Sequence, residues 1–149
     1  MNIDKKQALE RLEQLKKDMR ELEKVINTPE KNWKDVTSVE KACEFMGNLS
    51  PNHLISVWKN AYLTDSQIAG LKLEYCIKAI NEDWKPNWNS NSEYKWYNWF
   101  DYKGGGFSFY GASIYLSGVH LGSGFYYKNK EKAQFGAKHF FEYYKIWMS

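Results

Sequence analysis

The chain is poor in the residues that build most catalytic centres. It has three histidines and two cysteines among 149 residues. None of the histidines stands at metal-ligand or triad spacing from a cysteine or an acidic residue. Cys43 and Cys76 fall in helical patterns without metal spacing, so both are expected to be free, buried thiols. Gly104-Gly105-Gly106 lacks the lysine and hydroxyl residue of a phosphate-binding loop, and no GxGxxG run is present. No apolar run approaches the roughly 18 residues of a membrane span. Met1 to Asp4 leads straight into a charged helix, so no signal peptide is expected, and the expected location is cytoplasmic. The net charge of +3 is too mild for a dedicated nucleic-acid binder and has the wrong sign for a DNA mimic. Glycine is almost missing from the first part: nine of the ten lie after Asn60.

Rings are what the chain has in excess. Aromatic residues make up 17% of it, and 13 of the 34 residues from Tyr94 to Tyr127 are aromatic. Flat rings alternating with glycines make surfaces for close contact. They either fill a small core or line a pocket for a flat ligand.

Residues 4–27 carry the clearest pattern. Leu12, Met19 and Ile26 fall at heptad position a, and Ala8, Leu15 and Leu22 at d. A stripe this narrow is marginal in isolation. It either packs along its own domain or self-associates, with Leu12, Leu15, Met19, Leu22 and Ile26 as the contact seam of a homo-oligomer. Pro29 closes this helix. Thr37-Ser38-Val39-Glu40 has capping-box spacing and opens a short helix ended by Gly47. Ser50-Pro51 opens another. Thr64 or Asp65 caps a longer helix to about Glu82, buried through Ile68, Leu71, Tyr75, Cys76, Ala79 and Ile80. Asn87 to Glu93 is a polar turn. Past Gly106 the period shortens to that of strands, first over Phe107 to Tyr115 and again over Val119, Leu121 and Phe125. A final helix runs from about Asn129 to Trp147, with Ala133, Ala137, Phe140, Tyr144 and Trp147 on one face. The expected fold is α+β: an oligomerisation helix over residues 1–28, then an aromatic-rich domain over 33–149 with a small antiparallel sheet and a packed C-terminal helix.

The runs LKLEYCIKAINEDWKPNWNSNSEYKWYNWF, GFSFYG and GSGFYYKNKEKAQFGAKHFFEYYKIW resemble a family of small phage and mobile-element proteins of Bacteroidetes and Firmicutes. The likeness covers about residues 37–147. Gly122-Ser123-Gly124-Phe125 stands where many relatives have Gly-Ser followed by Arg. No catalytic residues carry over from the family. The resemblance implies a phage accessory gene, and with it a counter-defence role in an infected bacterial host.

As a strand, the ring-rich segment points Trp96 and Phe100 one way and Tyr97 and Trp99 the other. The candidate ligand site comprises Trp96, Tyr97, Trp99 and Tyr102 for stacking, with Lys103, Gly105, His120, Ser123 and Lys128 for polar contact. Lys128, Lys130 and Lys132 crowd a helix start, where an anion is favoured. The expected function is non-catalytic binding, without cofactor or metal, that sequesters a nucleotide-derived immune signal. The alternatives are a protein-binding inhibitor of a host defence enzyme, such as a CRISPR effector, and a nucleic-acid-binding accessory protein. Direct DNA or RNA binding is the weakest of these.

Overall fold

The computed structural model describes residues 4–28, 30–47, 50–117 and 122–149. Val119, His120 and Leu121 lie outside the described residues; Phe125, the last residue of the second expected strand run, lies in a 3-10 turn, Ser123–Phe125, and not in a strand. The chain divides into two compact units, residues 1–31 and 32–149.

The first unit is helix α1, Lys5–Ile26. The Asp4 carboxylate accepts from the Lys6 N–H at its start. At its far end the Thr28 hydroxyl donates to the Lys24 carbonyl at 2.6 Å. No residue of α1 is buried.

The second unit is α+β. Helices α2 (Val39–Met46), α3 (Pro51–Asn60) and α4 (Asp65–Asn81) come first. Ser38 caps α2, and Gly47 ends it at φ 67°, where glycine bears no Cβ penalty. The expected capping residue Thr37 lies one position outside. Thr64 caps α4 in a reciprocal box with Gln67. Strands β1 (Lys95–Asp101) and β2 (Ser108–Tyr115) pair antiparallel, with an irregularity at Trp99/Phe100. The partner of the Phe107 to Tyr115 run is therefore the Trp-rich segment before it. An isolated bridge joins Trp96 to Tyr127.

The expected single helix over 129–147 is two helices, α5 (Lys130–His139) and α6 (Phe141–Trp147). Phe140 leaves helical geometry at φ −111°, ψ 21°. The break turns Phe140 and Tyr144 into the core, where both are nearly inaccessible.

Helix α4 is the spine of this unit. Leu73, Cys76, Ile77 and Ile80 are wholly buried and meet Val36, Val39 and Ala42 with Tyr127, Ala133, Phe140 and Tyr144. Leu71 and Tyr75, expected in the core, are only half-buried because the inward face is rotated toward Leu73 and Ile77. Both cysteines are free and buried. Burial pushes the Cys76 thiol far up, so it is no nucleophile at neutral pH.

Beneath the sheet a small polar network crosses the core. The Asn98 amide donates to the Ala133 carbonyl at 2.7 Å and reaches the Tyr144 hydroxyl at 3.3 Å. Tyr144 and Tyr127 hydroxyls lie 3.0 Å apart. Gly136 makes room for the Tyr127 ring, since a Cβ there would overlap the phenol. Burial, reinforced by Tyr144, raises the Tyr127 phenol well above its usual 10; burial also pushes Tyr144 up to about 12. Phenols raised in the folded state contribute stability that is complete below pH 10 and lost as pH climbs toward 12. In an alkaline titration these two tyrosines are expected to ionise together with unfolding, followed by tyrosinate absorbance and circular dichroism. Ionisation of either near its ordinary value, with the fold intact, contradicts this.

Candidate functional site

The two strands give the sheet an inner and an outer face. Trp96, Asn98 and Phe100 alternate on the inner side, where Phe100 lies 4.5 Å from the Tyr144 ring. Tyr97 and Trp99 lie on the other side, opposite Ser113 and Gly111. Tyr97 is wedged among Trp99, Tyr115 and Tyr126, with centroids 5.4–6.3 Å apart. Trp99 keeps 52% of its surface exposed.

The expected ligand residues are therefore not one cluster. Trp96 lies on the inner side of the sheet, half-buried, beneath the Lys130 ammonium at 5.9 Å. Tyr97 and Trp99 share the outer face. Tyr102, Lys103 and Gly105 occupy the hairpin turn beyond Asp101. There Lys103 ion-pairs with Asp101 at 3.8 Å and sits 5.6 Å over the exposed Tyr110 ring. Gly105 adopts φ 91° in open space, which suits a turn. Lys128 is exposed at the opposite end of β1, and its N–H donates to Asn81 Oδ1 at 3.0 Å. Ser123 begins a 3-10 turn, Ser123–Phe125, and only its backbone is described. His120 is not described. Gly124 packs against the Glu74 carboxyl group so closely that any Cβ would collide with it.

The lysine cluster at the start of α5 also departs from expectation. Lys132 is 3% exposed. Its ammonium donates to the Ile80 carbonyl and to Glu82 Oε2, both at 2.5 Å, and lies 5.1 Å from the Trp33 ring centroid. It is committed to its own protein and is not available to an external anion.

A hollow of about 450 Å³ forms where α4 runs out. Its floor is the face of α4 carrying Glu74, Ile77, Lys78 and Asn81, spaced three and four apart. Its wall is the segment after the helix, with Trp84, Lys85, Pro86 and Trp88. Both indoles are half-buried. Lys78 and Lys85 are exposed and make no ion pair among the described residues. Glu82 also lines the hollow, but its carboxylate is engaged by Lys132. Among the described residues, none of the ligand residues expected from sequence lines this hollow.

Two devices hold the wall in place. Glu82 ends α4 at φ 58°, ψ −126°, a conformation that L side chains rarely adopt. The Lys132 contact fixes its side chain. Farther along, Lys95 is completely buried. Its ammonium donates to the Ser90 and Glu93 carbonyls at 3.2 and 3.0 Å, and stands 5.6 Å from the Trp88 ring centroid. Trp88 meets Tyr126 edge-on at 5.1 Å. The Asn87 N–H donates to Glu93 Oε1 at 2.8 Å and closes the turn.

Among the described residues no group of three or more His, Cys, Asp or Glu could hold a metal ion. None of the described helices is long and apolar enough to cross a membrane. Comparison with family models, curated proteins and solved structures finds no match. The arrangement offers stacking surfaces and ammonium groups, which is the equipment of binding.

The residues of this hollow were visible in the sequence as the run Asn-Glu-Asp-Trp-Lys-Pro. Read locally, that run is a helix stop. A Trp-x-x-x-Trp spacing around a proline, directly after a helix with lysine in its last turn, was the available signal.

Proposed function

We propose that the protein captures a flat, anionic small molecule of the nucleotide class, without catalysis. The observation that carries this reading is the hollow after α4, where two half-buried indoles stand beside two exposed lysines that make no ion pair among the described residues. Indoles stack on any base, and ammonium groups satisfy phosphate. Its volume suits a ligand of this size. In the phage setting implied by the resemblance over residues 37–147, capture amounts to sequestering a nucleotide-derived immune signal in the host cytoplasm.

The test is a panel of cyclic and linear nucleotides, read by melting temperature. A ligand at about 100 times its Kd adds about 2.7 kcal/mol. For a chain of this size that is a rise of about 7 °C. Trp84→Ala is expected to abolish the rise while leaving the melting of the free protein within about 2 °C. A flat response across the panel removes the reading.

A second reading has its own support. Trp99, Tyr102 and Tyr110 are exposed on the hairpin, with Tyr110 at 71%, and exposed rings serve as anchors in protein interfaces. An inhibitor of a host defence enzyme would bind through them. Loss of a captured host protein on Trp99→Ala, with no nucleotide response, selects this reading over the first.

A further inference from the structure

We infer that α1 is a homodimerisation element whose partner is the α1 of a second copy, running antiparallel. The inference is independent of the ligand site. The seam residues Leu12, Leu15, Met19 and Leu22 keep 47–60% of their surface exposed in the single chain, and Ile26 keeps 79%. An apolar stripe on a 22-residue helix needs a covering surface.

Charge selects the occupant and its direction. With Leu12, Met19 and Ile26 at a, the flanking g positions are Arg11 and Asp18, and the flanking e positions are Lys16 and Glu23. In a parallel pair, each g side chain meets the e side chain about five residues further along the partner. Arg11 would then face Lys16, and Asp18 would face Glu23. By symmetry each repulsion occurs twice, so a parallel pair opposes like charges at every one of these contacts.

Reversing one helix changes every sign. Antiparallel helices bring g against g and e against e. Arg11 then meets Asp18, and Lys16 meets Glu23, again twice each. The seam closes in the same register. Centred on Lys17, it stacks Ala8 on Ile26, Leu12 on Leu22 and Leu15 on Met19, so every a residue faces a d residue. Leu9 and Val25, 54% and 73% exposed, flank the Ala8–Ile26 layers and widen the seam where alanine leaves it thin. A foreign helix would have to reproduce this charge order, whereas a second copy carries it.

Sedimentation equilibrium of the full chain tests this, together with Arg11→Glu. The expected species is a dimer. Arg11→Glu places like charges opposite Asp18 and is expected to raise the dissociation constant about tenfold; adding Asp18→Arg restores it. In a parallel dimer Arg11→Glu would relieve the clash with Lys16 and tighten association, which overturns the inference, as does a monomer or a higher oligomer. A spin label on Asn27→Cys gives a second measure, since both native cysteines are buried. Antiparallel helices place the two labels about 30 Å apart, and parallel ones about 10 Å. The short distance overturns the proposal.

Discussion

Phe140→Ala is expected to cost about 4 kcal/mol of folding stability. The ring is 1% exposed and belongs to the core with Leu73, Ile77 and Tyr144. It stands where α5 ends and α6 begins. Alanine keeps the backbone bonds there, from the Phe140 N–H to the Gly136 carbonyl and from the Tyr144 N–H to the Phe140 carbonyl. What is lost is the transfer of a phenyl group from water, plus the void left between two helices that cannot collapse onto each other. Domains of this kind have about 5–15 kcal/mol in all, so the variant should melt about 10 °C earlier in the same two-state manner. A loss below about 1 kcal/mol in urea titration would show that the two helices close the gap.

Glu82→Ala comes next, at about 3 kcal/mol. The carboxylate is the sole anionic partner of the buried Lys132 ammonium among the described residues. Without it a charge remains in the interior with the Ile80 carbonyl as its hydrogen-bond acceptor. Glu82→Gly loses the same carboxylate but relieves the positive φ, and should recover about 1 kcal/mol of the cost. Lys132→Met should cost less than either, because it removes the buried charge and leaves Glu82, nearly half exposed, to water. Chemical denaturation of the three variants fixes the order. Lys132→Met as the worst of them would mean that the ammonium contributes packing and not charge compensation.

The parts of the fold that could be read from sequence are those governed by neighbours along the chain. Ser38, Gly47, Pro51 and Thr64 mark helix ends because capping is a local hydrogen-bond matter. The heptad of α1 is legible for the same reason. The break at Phe140 was not, since the face Ala133, Ala137, Phe140, Tyr144 and Trp147 has helical spacing throughout. Only the demand of the core on two bulky rings departs from that spacing. Lys95 and Lys132 read as surface residues by type; their burial depends on carbonyls and carboxylates supplied by distant segments. The hollow was hidden for a related reason. Ring density pointed to Trp96 through Tyr102, yet an antiparallel hairpin separates those residues onto two faces and a tip. The hollow is instead built by a helix end and a proline turn, with a sparser aromatic content.

The fully enclosed Lys95 has a consequence for how anything could dock beside Trp88. Its ammonium ties down the peptide groups of the turn from Ser90 to Glu93 and supports the indole from below. The conformational entropy of that turn is surrendered when the chain folds, not when a guest arrives. Arrival should then proceed as a rigid encounter, with a rate set by diffusion and charge, and with little heat-capacity change beyond that of covering the indoles.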